Sequence, residues 1–307
     1  MNRRKFVFST ALLAGMPKAF KTFGNDLVPQ QDTQMQNGDD MPVGVIASGN
    51  DPEKDLKIVR DLGFTVCQLN LGAFTPQLAE KLKATLSNYN IKATSLICSG
   101  PGRDVYTFTE GPATIGLVPR ENRAARVERL KKGIEFCKAA GIPAIQTHFG
   151  FIPENPGDPL YREFIDTLKP VAEHAKNNGI DIYCETGQET PVTLLRAITD
   201  VGTGNVFVNY DTANLILYGK ANPVDGLKVI GKYVRSLHAK DGRYPTDPYR
   251  LGKETPIPTG DVDFPAVIAS LKKLNYKGPV IIEYELAGKT SDYLLKTKAY
   301  LEKLINS

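Results

Sequence analysis

From Met41 to the C-terminus, short β-branched apolar runs alternate with stretches whose apolar residues recur at helical spacing, and few folds are open to such a chain. The strand-like runs fall at residues 43–47, 65–70, 92–98, 144–148, 181–185, 206–211, 234–238 and 280–285. About eight such runs, each followed by a helix, is the number that closes a parallel barrel. Between them, residues 52–61, 76–89, 120–140 and 160–178 read as helices, several opening on Asp or Pro and stopping at Gly. Residues 263–274 show the pattern in full: Asp263 caps the free amides, Pro265 sits in the first turn, and Phe264, Val267, Ile268 and Leu271 form one apolar face. A doubly wound open sheet alternates in the same way, but no Gly-rich phosphate turn follows the first run, where Ile46-Ala47-Ser48-Gly49 leads into the helix. The expectation is an α/β fold, a (β/α)8 TIM barrel forming one domain over residues 41–307.

Residues 1–40 read differently. Arg3, Arg4, Lys5, Lys18 and Lys21 precede any acid, an apolar run spans residues 6–16, Pro17 breaks it, and a polar stretch follows. This pattern, with Arg3-Arg4-Lys5-Phe6, resembles a twin-arginine export signal and predicts a periplasmic or otherwise exported protein; the alternative is a helical or disordered start on a cytoplasmic chain. With those five set aside from the 38 basic residues, the remainder carries 33 against 34 acidic ones. A neutral body lacks the clustered Lys and Arg that bind a phosphate backbone, which argues against nucleic acid, so no nucleic-acid partner is expected. No segment of the body reaches the roughly 20 apolar residues of a membrane span, so no membrane partner is expected for the mature form. Cys67, Cys98 and Cys184 lie in strand-like runs and Cys137 on a helix, so they read as buried free thiols.

In a parallel barrel every strand delivers its last residues to one rim, where distant polar residues converge. Runs five to eight carry Glu185, Asp211, His238 and Glu283 there, in Ile182-Tyr183-Cys184-Glu185, Val208-Asn209-Tyr210-Asp211, Ser236-Leu237-His238 and Ile281-Ile282-Glu283. Three carboxylates crowded together drive a proton back onto one of them unless a cation neutralises the group. The constellation therefore points to a divalent metal. One nitrogen and several oxygens suit Mn²⁺, Mg²⁺ or Co²⁺, with Zn²⁺ left open. A single Asp or Glu at a strand end is often only a helix cap, so the weight rests on four consecutive strand ends taken together.

These residues, with Leu237-His238-Ala239-Lys240-Asp241, Gly260-Asp261-Val262-Asp263-Phe264 and Tyr276-Lys277-Gly278-Pro279, resemble the xylose isomerase-like barrels over about residues 41–305. That superfamily includes ketose 3-epimerases, hydroxypyruvate isomerases and inosose dehydratases. The resemblance implies a divalent-metal-dependent sugar isomerase or epimerase acting on a small carbohydrate. The metal holds two adjacent substrate oxygens, while Glu185 and Glu283 stand on opposite faces, one removing a proton beside the carbonyl and the other returning it through an enediolate. The alternative is a dehydratase or lyase on a keto-sugar, polyol or glycoside, using the same site to expel a β-leaving group. The chain departs from the ketose epimerases in three places: Asn214 stands where they carry His, Pro191 where they carry a second Glu, with Glu189 closer in, and Tyr244 where they carry Arg, with Arg243 one residue earlier.

Substrate contacts are expected from His148, Asn214, Lys240 and Arg243. His148, ending run four, also reads as a further metal ligand or a packed histidine, and Lys240 as a partner of Asp241. Arg243 and Arg250 lie in a long connection over residues 239–260, of the kind that covers a site, and read as grips for an acidic substrate or as solvated residues. His174 reads as a surface residue, and Arg123, Arg126 and Arg129, mixed with Glu128 and Glu135, as an exposed helix face. Two further classes stay in view: an abasic-site endonuclease, which would need many histidines where this chain has 3, and a sugar-binding protein without catalysis. Outer helices of such barrels also allow a homo-oligomer, and exported carbohydrate chemistry favours an unphosphorylated substrate.

Overall fold

The computed structural model describes residues 41–283 and 291–307. The arginine-led start and its polar linker lie outside the described residues, as does Glu285 at the end of the eighth expected strand.

Eight parallel strands close on themselves: β1 (Val43–Ser48), β2 (Val66–Asn70), β3 (Lys92–Ile97), β4 (Ala144–Thr147), β5 (Asp181–Glu185), β6 (Val206–Asp211), β7 (Val234–Ala239) and β10 (Val280–Ile282). The order around the barrel is β1-β10-β7-β6-β5-β4-β3-β2, with every neighbouring pair parallel, as the alternation predicts. Outside run α1 (Pro52–Asp61), α2 (Pro76–Asn88), α3 (Gly111–Thr114), α4 (Arg123–Ala140), α5 (Pro159–Asn177), α6 (Pro191–Val201), α7 (Thr212–Leu217), α8 (Pro223–Ile230), α9 (Phe264–Lys273) and α10 (Ser291–Asn306). Local chemistry sets their ends. The Asp263 carboxylate accepts from the Ala266 amide at 3.0 Å, and Phe264, Val267, Ile268 and Leu271 of α9 are buried, as its spacing predicts. Thr190 caps α6 in the same way, and Gly202 in the left-handed region ends it. Among the described residues no helix is long and apolar enough to cross a membrane. The four cysteines are free and buried, and burial pushes the thiols of Cys67 and Cys98 up to about 12, which leaves them inert.

The structure corrects five expectations. The connection over residues 239–260 is not a plain loop: β8 (Asp241–Arg243) pairs antiparallel with β9 (Lys253–Thr255). Asp241 organises its base, accepting the amides of Gly242 and Gly260 at 2.8 Å and of Val262 at 3.2 Å. A Cβ on Gly260 would fall 2.2 Å from the Asp241 carboxylate, so only glycine allows this approach. Asp241 therefore serves backbone amides rather than Lys240. His174 is half-buried, with Nε2 3.5 Å from Glu135 on α4. The helix expected from residue 120 begins at Arg123, because Asn122 before it adopts the left-handed region (φ 59°).

The largest correction concerns the α4 arginines, which turn inward instead of facing solvent. The segment between β3 and α4 carries many carbonyls that no strand or helix uses, and a guanidinium with five donors can serve several at once. Arg126, on the same face as Leu130, Ile134 and Cys137, donates to the carbonyls of Gly116 (2.7 Å), Pro101 (3.0 Å) and Arg103 (3.1 Å) and to Asp104 (3.0 Å). Arg123 serves the carbonyls of Leu117 and Val118. Arg129 reaches Leu71, Gly72 and Ser99 and lies over the Phe74 ring. Replacing Arg126 with Met leaves these acceptors and the Asp104 charge unpaired, and is expected to cost about 3 kcal/mol. The check is a urea denaturation series: the midpoint should fall with an unchanged slope.

Candidate metal centre

Parallel register brings the four strand-end residues to one depth. Asp211 of β6 pairs with His238 of β7, and Glu185 of β5 with Asn209, two residues before Asp211. The Glu283 amide donates to the Ala239 carbonyl at 3.1 Å, which locks the residue after β10 beside the end of β7. All four side chains are buried, and one ligand atom from each lies within 4.8 Å of the others. His238 Nδ1 stands against Glu283 Oε2, 3.3 Å from Glu185 Oε1 and 3.7 Å from Asp211 Oδ2. Asp211 Oδ2, His238 Nδ1 and Glu283 Oε2 are sealed from solvent, and their close polar neighbours are one another and Glu185 rather than groups outside the cluster. Buried acceptors crowded against one another are costly, and three of them facing one point suit a cation. The donor set, carboxylate oxygens with one imidazole nitrogen, fits a hard or borderline divalent ion.

Neighbouring groups prepare each ligand. Asp211 does two jobs: Oδ1 caps α7 by accepting the Asn214 amide at 2.7 Å, which leaves Oδ2 for the centre. His238 Nε2 lies 2.8 Å from Gln68 Oε1, and the Gln68 amide group donates to Ser95 Oγ at 2.8 Å, so its oxygen faces the ring. That fixes the proton on Nε2 and turns the Nδ1 lone pair toward the carboxylates. Glu185 is held by the Gln146 amide at Oε2, by the Asn214 amide at Oε1 (3.2 Å), and by His148, whose Nε2 lies 3.4 Å from Oε2. Lys240, also buried, pairs with Glu283 Oε1 at 3.1 Å.

The electrostatics show what the cluster lacks. Burial pushes Asp211 up to about 7, only partly offset by Lys240 and His238. Burial also presses on Glu185 and Glu283, but His148 and His238 hold the first below the ordinary range, and Lys240 and His238 hold the second well below it. His238, which burial alone would lower, is raised well above its usual value by Glu283, Glu185 and Asp211. Protons on the imidazole and on Asp211 thus balance the carboxylates when no cation does, and a divalent ion would displace them.

Of the residues expected to meet substrate, the structure gathers three at this centre. His148 and Asn214 touch Glu185, and Lys240 touches Glu283. Arg243 is exposed on β8, and its guanidinium donates to the Thr259 carbonyl at 2.9 Å rather than to a residue of the cluster. Sequence reasoning missed Gln68 and Gln146, each a glutamine inside an apolar strand. That break in the apolar run is the signal that finds them.

Residues 56–304 match the sequence profile of the xylose isomerase-like TIM barrel. The chain belongs to that family. A crystal structure of a xylose isomerase domain protein from Planctomyces limnophilus is 32% identical, superimposes with a TM-score of 0.81, and covers 87% of this chain and 98% of its own. A 2-oxo-tetronate isomerase of Pectobacterium atrosepticum is 25% identical over 240 residues, 74% of this chain and 83% of the relative. The 3-keto-D-glucoside 4-epimerase of E. coli shares the fold, with a TM-score of 0.65 at 16% identity over 86% of this chain and 99% of that one.

Gln68→Leu removes the acceptor that fixes the His238 tautomer and is expected to weaken divalent-ion binding by about 10- to 100-fold. Titration calorimetry with Mn²⁺ on the wild type and the variant measures it.

Proposed function

We propose that this xylose isomerase-like barrel is a divalent-metal-dependent isomerase or epimerase of a small carbohydrate, moving a proton on a carbon next to a carbonyl. The observation that carries the reading is the buried cluster of Glu185, Asp211, His238 and Glu283, whose inward-facing atoms are sealed from solvent and crowd against one another. Relatives named as a 2-oxo-tetronate isomerase, a 3-keto-D-glucoside 4-epimerase and an L-ribulose 3-epimerase support the reaction class. A divalent ion held by Glu185, Asp211, His238 and Glu283 would polarise the substrate carbonyl and acidify the neighbouring C–H.

The chain's own residues do the rest. Glu185 and Glu283 reach the centre from different strands, so a substrate between them presents a face to each. One carboxylate removes the proton from the carbon beside the carbonyl, and the bonding pair moves to the oxygen as the enediolate forms. The other glutamic acid then supplies a proton to the opposite face or to the neighbouring carbon. No electron is gained or lost, and substrate and product have equal mass. Gln146 and Asn214 fix the plane of the Glu185 carboxylate, and Lys240 does so for Glu283. His148, against Glu185 and edge-on to the Tyr106 ring at 5.6 Å, lines the same rim as a substrate contact. The reading extends to an exported protein acting on unphosphorylated carbohydrate, resting on Arg3-Arg4-Lys5-Phe6 and the apolar run after it.

Two measurements test these statements. The purified protein should hold about one Mn²⁺, Mg²⁺ or Co²⁺ per chain and catalyse deuterium uptake from heavy water into a ketose or keto-sugar without change in product mass. Glu185→Gln and Glu283→Gln should each lower that exchange at least about 10²-fold. A metal-free protein sinks the reading, and a product lighter by a leaving group converts it to elimination. Fractionation of the producing cells should find the protein outside the cytoplasm, and full-length protein wholly in the cytosol overturns export.

A further inference from the structure

His148 follows β4 and meets the metal centre with one nitrogen, Nε2, 3.4 Å from Glu185 Oε2. Its other nitrogen, Nδ1, is sealed from solvent and makes no hydrogen bond within the protein. The same residue lines a cavity of about 20 Å³, bounded also by Thr147, Cys98, Ser99, Asp104 and Arg126. A water needs roughly 10–15 Å³ and about two to four polar partners, so this cavity suits one water and is too small for a substrate. The imidazole thus touches both the cavity and the metal centre.

Asp104 is the acidic residue of that cavity, and its place is fixed. Its Oδ1 accepts from Arg126 at 3.0 Å, and the same guanidinium gathers the carbonyls of Pro101, Arg103 and Gly116 around it. Arg126 is 4% exposed, so this anchor is part of the interior. Two residues further along, Tyr106 meets the His148 ring edge-on at 5.6 Å. One segment between β3 and α4 therefore carries both an aromatic ring against His148 and a carboxylate beside the cavity that His148 lines. A neutral imidazole places its proton on either nitrogen. Which one it takes decides whether Nε2 donates to Glu185 or opposes it with a lone pair.

We propose that Asp104 is a positioning residue: through one water in this cavity it holds His148 in the tautomer that carries its proton on Nε2, facing Glu185. The water donates one hydrogen to the Asp104 carboxylate and the other to Nδ1, which makes Nδ1 the acceptor and leaves Nε2 the donor. His148 then joins the amides of Gln146 and Asn214 as a third donor to Glu185. Three donors from different elements fix the plane of a carboxylate more narrowly than two, which matters for a group that moves a proton. Arg126, by pinning Asp104, ties the segment before α4 to the reacting centre without touching it. Only the effect on proton transfer rests on the isomerase reading; the water and the tautomer stand apart from it.

The test uses full-length, Mg²⁺-loaded protein with ¹⁵N-labelled histidine. The chain holds 3 histidines, so the ring nitrogens of His148 resolve by NMR and are assigned with His148→Gln. In the wild type, Nδ1 should show the shift of a bare nitrogen and Nε2 that of a protonated one. A crystal structure should show one water within hydrogen-bond reach of both Nδ1 and Asp104. Asp104→Asn keeps an oxygen for the water and for Arg126 and should keep the tautomer, with heavy-water exchange into substrate within about threefold of wild type. Asp104→Leu should mix the two tautomers and lower that exchange about tenfold. A protonated Nδ1 or a dry cavity in the wild type overturns the proposal, and neither observation depends on a variant that folds. Asp104→Leu that melts lower but keeps the tautomer and the exchange assigns Asp104 to Arg126 alone and overturns it too. Water and tautomer found as stated, with no exchange into any sugar, remove the isomerase reading and leave the positioning role; exchange with the opposite tautomer does the reverse.

Discussion

Three buried carboxylates and one imidazole meeting at a single point is the constraint on which the rest of the structure depends. Such a group is unstable as bare charge, and the molecule limits the cost in separable ways. Lys240 neutralises part of Glu283, neutral amides from Gln146 and Asn214 serve Glu185, and the α7 amide terminus takes one oxygen of Asp211. The fourth ligand is turned by Gln68. The atoms left to one another are those that face inward together, so the surrounding hydrogen bonds define the centre as firmly as the ligands do.

That arrangement requires the closed parallel barrel. Side chains two residues apart along one strand point the same way, so Gln146, Asn209 and Ser236 form a polar layer, two of them lying two residues before ligands of the centre. A slip of one residue between β6 and β7 would turn Asp211 or His238 into the wall. The register is held in turn by apolar packing outside the barrel, where capped helices such as α6 and α9 bury one face each. Loops can then vary without disturbing the centre. The β8–β9 hairpin and the arginine-tied segment before α4 are both additions on the same scaffold.

The alternation of runs made the barrel legible because it reports a periodicity, and the four ligands were legible because each ends an apolar run. Misreadings arose where a residue's partner is set by tertiary placement. Arg126 sits in a mixed-charge helix that resembles a solvated face, and only the long segment packed above it supplies the carbonyls that bury it. Lys240 has an acid next to it in sequence, but Asp241 is taken by three backbone amides, so the lysine turns to Glu283. Arg243, four residues past β7, lies on a hairpin whose pairing no local pattern announces, where it donates to the Thr259 carbonyl. Gln68 and Gln146 were passed over because they were read as strand interior, where a polar side chain is itself the anomaly.

The two glutamates differ in a way that bears on how one site can take a proton from one face and give it to another. Glu283 is paired with the Lys240 ammonium, whereas Glu185 accepts from the neutral amides of Gln146 and Asn214, with His148 and His238 close by. A carboxylate facing a fixed ammonium loses more basicity than one facing amides. Glu283 is therefore the weaker base and, once protonated, the readier proton donor, while Glu185 sits among groups that tolerate either protonation state. The carboxylates raise His238 well above its usual value, and a divalent ion in the cluster would take over that balancing charge, leaving both glutamates available to a substrate between them. Asymmetry in the supporting residues, rather than in the ligands, is what a proton transfer with a preferred direction requires.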